Sequence, residues 1–99
     1  MSFADWQQSI GRDATPPAGV SWALQALWHD AKGDWAQAHA AAQEDEGRDG
    51  AWVHAYLHRE EGDVDNAAYW YARANRPVPA PGVTLEAEWA VIARELLAR

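Results

Sequence analysis

The chain has 99 residues, no cysteine, and a formal charge of −7 from 15 acidic and 8 basic side chains. That length supports one domain around one core. Disulfides and cysteine-based zinc sites are excluded, and an acidic surface argues against a nucleic-acid partner.

Met1 is followed by SFADWQQSI, with neither a basic start nor an apolar h-region, and no apolar run reaches the ~20 residues of a membrane span. A cytoplasmic protein with no membrane contact is expected. In chain order, Ser2 opens an S-x-x-D start, and Phe3, Trp6 and Ile10 share one helical face. A short helix over about 3–11 is predicted. Thr15-Pro16-Pro17 makes a linker and permits a new helix after it.

The next helix is predicted over about 18–32, where Val20, Leu24, Leu27, Trp28 and Ala31 keep the 3.6-residue period. Gly33 supplies a left-handed end, and Asp34 can accept from the free N–H groups of a helix at 35–44. Trp35, Ala38, Ala41 and Ala42 give that helix a thin stripe. EDEGRDG at 44–50 has no apolar content and reads as a loop. A helix over about 50–61 carries Trp52, Val53, Tyr56 and Leu57. Gly62 then ends it and Asp63 caps a helix at 64–75 with Val64, Ala67, Ala68, Tyr71 and Ala74. PVPAPG at 77–82 is a stiff connector. Thr84 then caps an amphipathic helix over about 84–98, with Leu85, Trp89, Ile92 and Leu96 on one face.

Within this order the chain repeats itself. ALWHDAKGDWAQAHA at 26–40 aligns with AYLHREEGDVDNAAY at 55–69 at an offset of 29 residues, matching Ala26 to Ala55, His29 to His58, Gly33 to Gly62, Asp34 to Asp63 and Ala38 to Ala67. A period of this size marks stacked two-helix units that bury their apolar faces on each other. Units at about 18–45 and 50–76 follow, and the C-terminal helix is expected to cover the open end of the stack.

Both units resemble tetratricopeptide repeats. Ala55, His58, Gly62-Asp63, Ala67, Tyr71, Ala74 and Pro77 fall on that family's pattern. The first unit keeps Trp22, Ala26, His29, Gly33-Asp34 and Ala38, but has Ala42 in an aromatic position. The period is shorter than the usual ~34, with the shortfall expected in the loop at 44–50. The runs ALWHDAKGDWAQAH and AWVHAYLHREEGDVDNAAYWYARANRP further resemble a group of small bacterial proteins without an established activity. The resemblance implies an all-α fold of two tetratricopeptide-like hairpins, flanked by a short N-terminal helix and a capping C-terminal one. It carries over no catalytic residue.

Two constellations suggest function. Trp52 and Tyr56, at i, i+4, are expected to line a groove between the first helices of the two units, with Arg59 at its edge. Tyr69-Trp70-Tyr71 points in three directions around a helix, so Tyr69 or Trp70 is expected to be partly exposed. Trp52, Tyr56, Arg59, Tyr69 and Trp70 thus make up a candidate surface for a protein or peptide partner, and a non-enzymatic interaction module with no cofactor is the leading reading. The alternative is a metal- or small-molecule-binding protein, as a binder or as an enzyme. His54 and His58 have the i, i+4 spacing that presents two nitrogens to one ion, and His29 sits at the equivalent position of the other unit. The H-E-x-x-H pattern is absent, and both repeated histidines also suit packing. A homodimer is a third reading, because two units leave an end to cover. The acidic run at 60–65 lacks calcium-loop spacing.

Overall fold

The computed structural model describes residues 1–99. Its helices are α1 (Phe3–Arg12), α2 (Trp22–Ala31), α3 (Trp35–Glu44), α4 (Arg48–Glu60), α5 (Val64–Ala74) and α6 (Leu85–Leu97), with no strand. None is long and apolar enough to cross a membrane. Five of the six start on a side-chain cap. Ser2, Ser21, Asp34, Asp63 and Thr84 each accept a hydrogen bond from the backbone N–H three residues on, satisfying a donor that has no partner within the helix.

The 29-residue echo is a repeated turn. Gly33 and Gly62 have φ of 85° and 86°, in the left-handed region that glycine enters without a Cβ penalty. Asp34 N–H donates to the His29 carbonyl at 3.0 Å and Gly33 N–H to Asp30 at 2.9 Å. The same pair recurs as Asp63 to His58 at 2.9 Å and Gly62 to Arg59 at 3.1 Å. Each turn closes one helix and caps the next, and it brings α2 against α3 and α4 against α5.

Two boundaries differ from expectation. α2 begins at Trp22 rather than near 18, because Gly19 turns the chain with φ of 85° and Ser21 takes the cap. The expected loop at 44–50 shrinks to residues 45–47. Asp45 Oδ1 accepts from Gly47 N–H at 2.9 Å, and α4 starts immediately after. Gly50 lies in its first turn, where a Cβ would stand 2.0 Å from the Asp45 carbonyl oxygen.

The C-terminal helix sits elsewhere than at an open end. α6 lies across α2 and α4 and carries α1 on its flank. Trp89, Ile92 and Leu96 enter the core, Trp89 Nε1 donates to the Leu27 carbonyl at 3.0 Å, and Trp6 stacks on Trp89 at 5.3 Å. Glu88 is 6% exposed and accepts from Arg59 at 2.8 Å and from the Tyr71 hydroxyl. The face that would have formed a groove is therefore filled.

Candidate functional site

The expected partner surface is dispersed by this packing. Trp52 is 7% exposed and Tyr56 3%. Trp52 lies under the Arg76 guanidinium, 3.8 Å from its ring centre, and Arg76 in turn pairs with Glu95 of α6. The face between α2 and α4 is not an open groove, because an amphipathic helix buries its own apolar face on it. Arg59 is held by Glu88 and the Val83 carbonyl. Trp70 is half-buried, and it is covered by α4 and Arg73 rather than by the C-terminal helix. Of the five residues only Tyr69 is exposed, with its hydroxyl accepting from Arg73.

The histidines separate differently. His29 stays apart from the others, its ring edge-on to Trp28 and its Nε2 3.3 Å from the Gln37 amide. His54 and His58 project from α4 toward α3, and there they meet His39. The His54 and His58 rings are nearly parallel at 4.9 Å. His39 stands edge-on to His54 at 4.5 Å and to His58 at 5.4 Å. One nitrogen of each lies within 4.8 Å of the other two. Trp35 stacks on His39 at 4.8 Å and donates its Nε1–H to the Leu57 carbonyl at 3.1 Å, fixing one side of the cluster. Trp70 of α5 stacks on His54 at 3.9 Å and fixes the other.

Glu61 completes the arrangement. Its Oε1 is 2.6 Å from His58 Nδ1. A carboxylate there selects the tautomer with Nδ1 protonated and leaves the Nε2 lone pair free. Burial and the neighbouring rings hold His54 down to about 4, with burial the larger effect and His39 and His58 adding to it. Burial likewise lowers His39, helped by His58 and opposed by Glu61. His39 and His54 are thereby held as neutral imidazoles, the form that coordinates metal. Tetrahedral coordination by bonds of ~2.0–2.1 Å needs nitrogens ~3.3 Å apart, so closing on an ion asks for movements of about 1 Å by side chains already in contact. His54 and Trp70 also form a wall of a cleft of about 630 Å³, whose rim carries Glu46, Arg48 and Arg73.

Sequence reasoning found two of these three histidines and substituted His29 for His39. The repeat drew attention to matched positions, whereas the cluster forms between the units. α3 is flanked in sequence by both of its packing partners, so a histidine beside its alanine stripe faces one of them. The Trp35–His39 spacing of i, i+4, echoing His54–His58, was the available signal.

On the opposite face of α4, Glu60 stays protonated up to about 8, chiefly through burial, with Asp30 adding a hydrogen bond and charge repulsion. The two shifts tilt stability in opposite senses. Native His54 binds fewer protons than the unfolded chain between about 4 and 6.5, so its contribution is present above that range and is lost as pH falls through it. Native Glu60 binds more protons between 4.5 and about 8, so stability is lost as pH rises through that range. From 6.5 to 8 only the Glu60 effect remains. Urea melts of the metal-free protein are expected to show a decline of about 1 kcal/mol there, discounted for solvent screening. Glu60→Gln should remove it. No family model, no curated protein and no solved structure matches the chain.

Proposed function

We propose that the protein binds one divalent transition-metal ion of the zinc class at His39, His54 and His58, within a tetratricopeptide-like pair of helical hairpins. The observation that carries this reading is the convergence of three imidazoles from two helices, with Glu61 orienting the His58 ring. Neutral nitrogen donors suit zinc, cobalt, nickel and copper rather than calcium or magnesium. Three protein ligands leave a fourth coordination position for water or an exchangeable group, and the cleft beside His54 gives small molecules access to this end of the cluster. The hairpin reading is supported by the two equivalent turns and by the pairing of α2 with α3 and of α4 with α5.

The test is titration of chelator-treated protein with Zn²⁺ and Co²⁺. One ion per chain, a raised melting temperature and cobalt d–d bands of tetrahedral intensity are expected. His39→Ala should abolish all three. Glu61→Gln should weaken binding by about 10- to 100-fold, the usual effect of losing a carboxylate behind a ligating histidine. His29→Ala should bind as the parent does. Identical melts with and without Zn²⁺, or equal affinity in the His39 variant, would overturn the proposal.

A further inference from the structure

Tyr56 and Glu60 leave α4 on the side opposite His54 and His58, because two residues along a helix turn through about 200°. They face a second cleft, of about 330 Å³, formed where α1, α2, α4 and α6 converge. Its polar lining is Asp30, Glu60 and Glu86 together with Gln7 and Tyr56, and no basic side chain lines it. Its apolar walls are Ile10 and Trp89, with Ala31.

Three features mark this cleft as more than an acidic patch. Tyr56 is 3% exposed and lines the cleft, yet its hydroxyl makes no hydrogen bond within the protein. The two other tyrosine hydroxyls are both engaged, Tyr71 with Glu88 and Tyr69 with Arg73. Tyrosines this deeply placed normally engage their hydroxyl, so the free one is available to a polar group held in the cleft. Next, Asp30, Glu60 and Glu86 share the cleft lining, while the chain's ion pairs engage Asp13, Asp49, Glu61, Glu88 and Glu95 and none of the cleft's carboxyls. Carboxyls that share a cleft without a cation favour binding one. Finally, these carboxyls do not gather into a single-ion cluster as the histidines do. Spread along a cleft with an indole wall, they suit a cation that also has an apolar part.

We propose that this cleft binds a small organic ammonium ion, its N–H groups donating to Asp30, Glu60 and the Tyr56 oxygen and its alkyl chain lying on Ile10 and Trp89. Glu86 at the rim attracts the cation and exchanges with water. The head group belongs equally to a free alkylamine and to a lysine side chain, and the two sources differ in what must fit outside the cleft.

The experiment is calorimetric titration with n-butylammonium chloride against potassium chloride at equal ionic strength, with tryptophan emission followed in parallel because Trp89 forms a wall. Saturable binding of one ligand per chain is expected. Asp30→Asn should weaken it at least ~10-fold, as loss of a partly buried charge partner does. Gln7→Lys should block it by placing the protein's own ammonium at the cleft, with an unchanged or raised melting temperature showing that the fold is kept. His39→Ala should leave it intact, which separates this site from the metal site. N-acetyl-lysinamide binding as tightly as n-butylammonium assigns the ligand to a peptide lysine. Markedly weaker binding assigns it to a free amine. A response to n-butylammonium no larger than that to potassium, or equal affinity in the Asp30 variant, overturns the proposal.

Discussion

Gly50→Ala is expected to destabilise the protein by about 3 kcal/mol or more, although it places the best helix former in a helix. A Cβ at residue 50 would stand 2.0 Å from the Asp45 carbonyl oxygen, 2.5 Å from Asp45 Cβ and 2.8 Å from its carbonyl carbon. The first and last of these are backbone atoms, so no rotamer change relieves them. The connection between α3 and α4 would have to open, and that connection sets how His39 faces His54 and His58. Urea unfolding checks the loss of stability. Gly11→Ala, in α1 with open space around its Cβ, should instead be neutral or slightly stabilising. An unchanged midpoint for Gly50→Ala would show that the close approach yields readily. In chelator-treated protein with enough residual fold, the same variant should also bind Zn²⁺ more weakly.

Glu88→Ala should cost about 3–5 kcal/mol. Glu88 is a buried carboxylate that satisfies the Arg59 guanidinium from α4 and the Tyr71 hydroxyl from α5 at once. Its removal leaves a partly buried charge and a buried hydroxyl unmet, and breaking such a pair costs far more than the pair contributes net. Guanidinium unfolding of the single variant, of Tyr71→Phe and of the double variant forms the cycle that checks it. Tyr71→Phe alone should be mild. In the Glu88→Ala background it should be milder still, because the hydroxyl has then already lost its acceptor. Additive effects would show that the hydroxyl and carboxylate act independently.

Local chemistry was legible in the sequence wherever a few adjacent residues decide the outcome. Ser2, Asp34, Asp63 and Thr84 cap the helices that their positions indicated, and Gly33 and Gly62 take the left-handed turns. The start of α2 was misread because proline permits a helix without requiring one, while Ser21 supplies an actual partner for Leu24 N–H. The short α3–α4 connection was hidden for a related reason. Glycines in a polar run signal a loop, yet Gly50 is there to let a helix begin close to Asp45. The position of α6 was harder still. Its amphipathic face announces burial but not against what, and the bond from Trp89 to Leu27 spans 62 residues. The dispersal of the candidate partner surface follows from that placement. Once α6 occupies the face of α2 and α4, Trp52 and Tyr56 become core. His39 was overlooked because its partners lie on the next helix rather than in its own repeat.

The placement of α6 also bears on the order in which the chain can fold. The two hairpins form from neighbouring segments and pay little loop-closure entropy, so they can assemble early. The inner face of α2 and α4 stays wet until α6 has been made, and α1, bonded to α2 through Ser9 and Trp28, gains the Trp6–Trp89 stack only then. During synthesis Leu27, Trp52 and Tyr56 therefore remain uncovered until the chain has been extended through Trp89 and Ile92. α6, made after both hairpins, acts as a latch on them. The interval before it closes is when this tryptophan-rich chain is most exposed to misassembly.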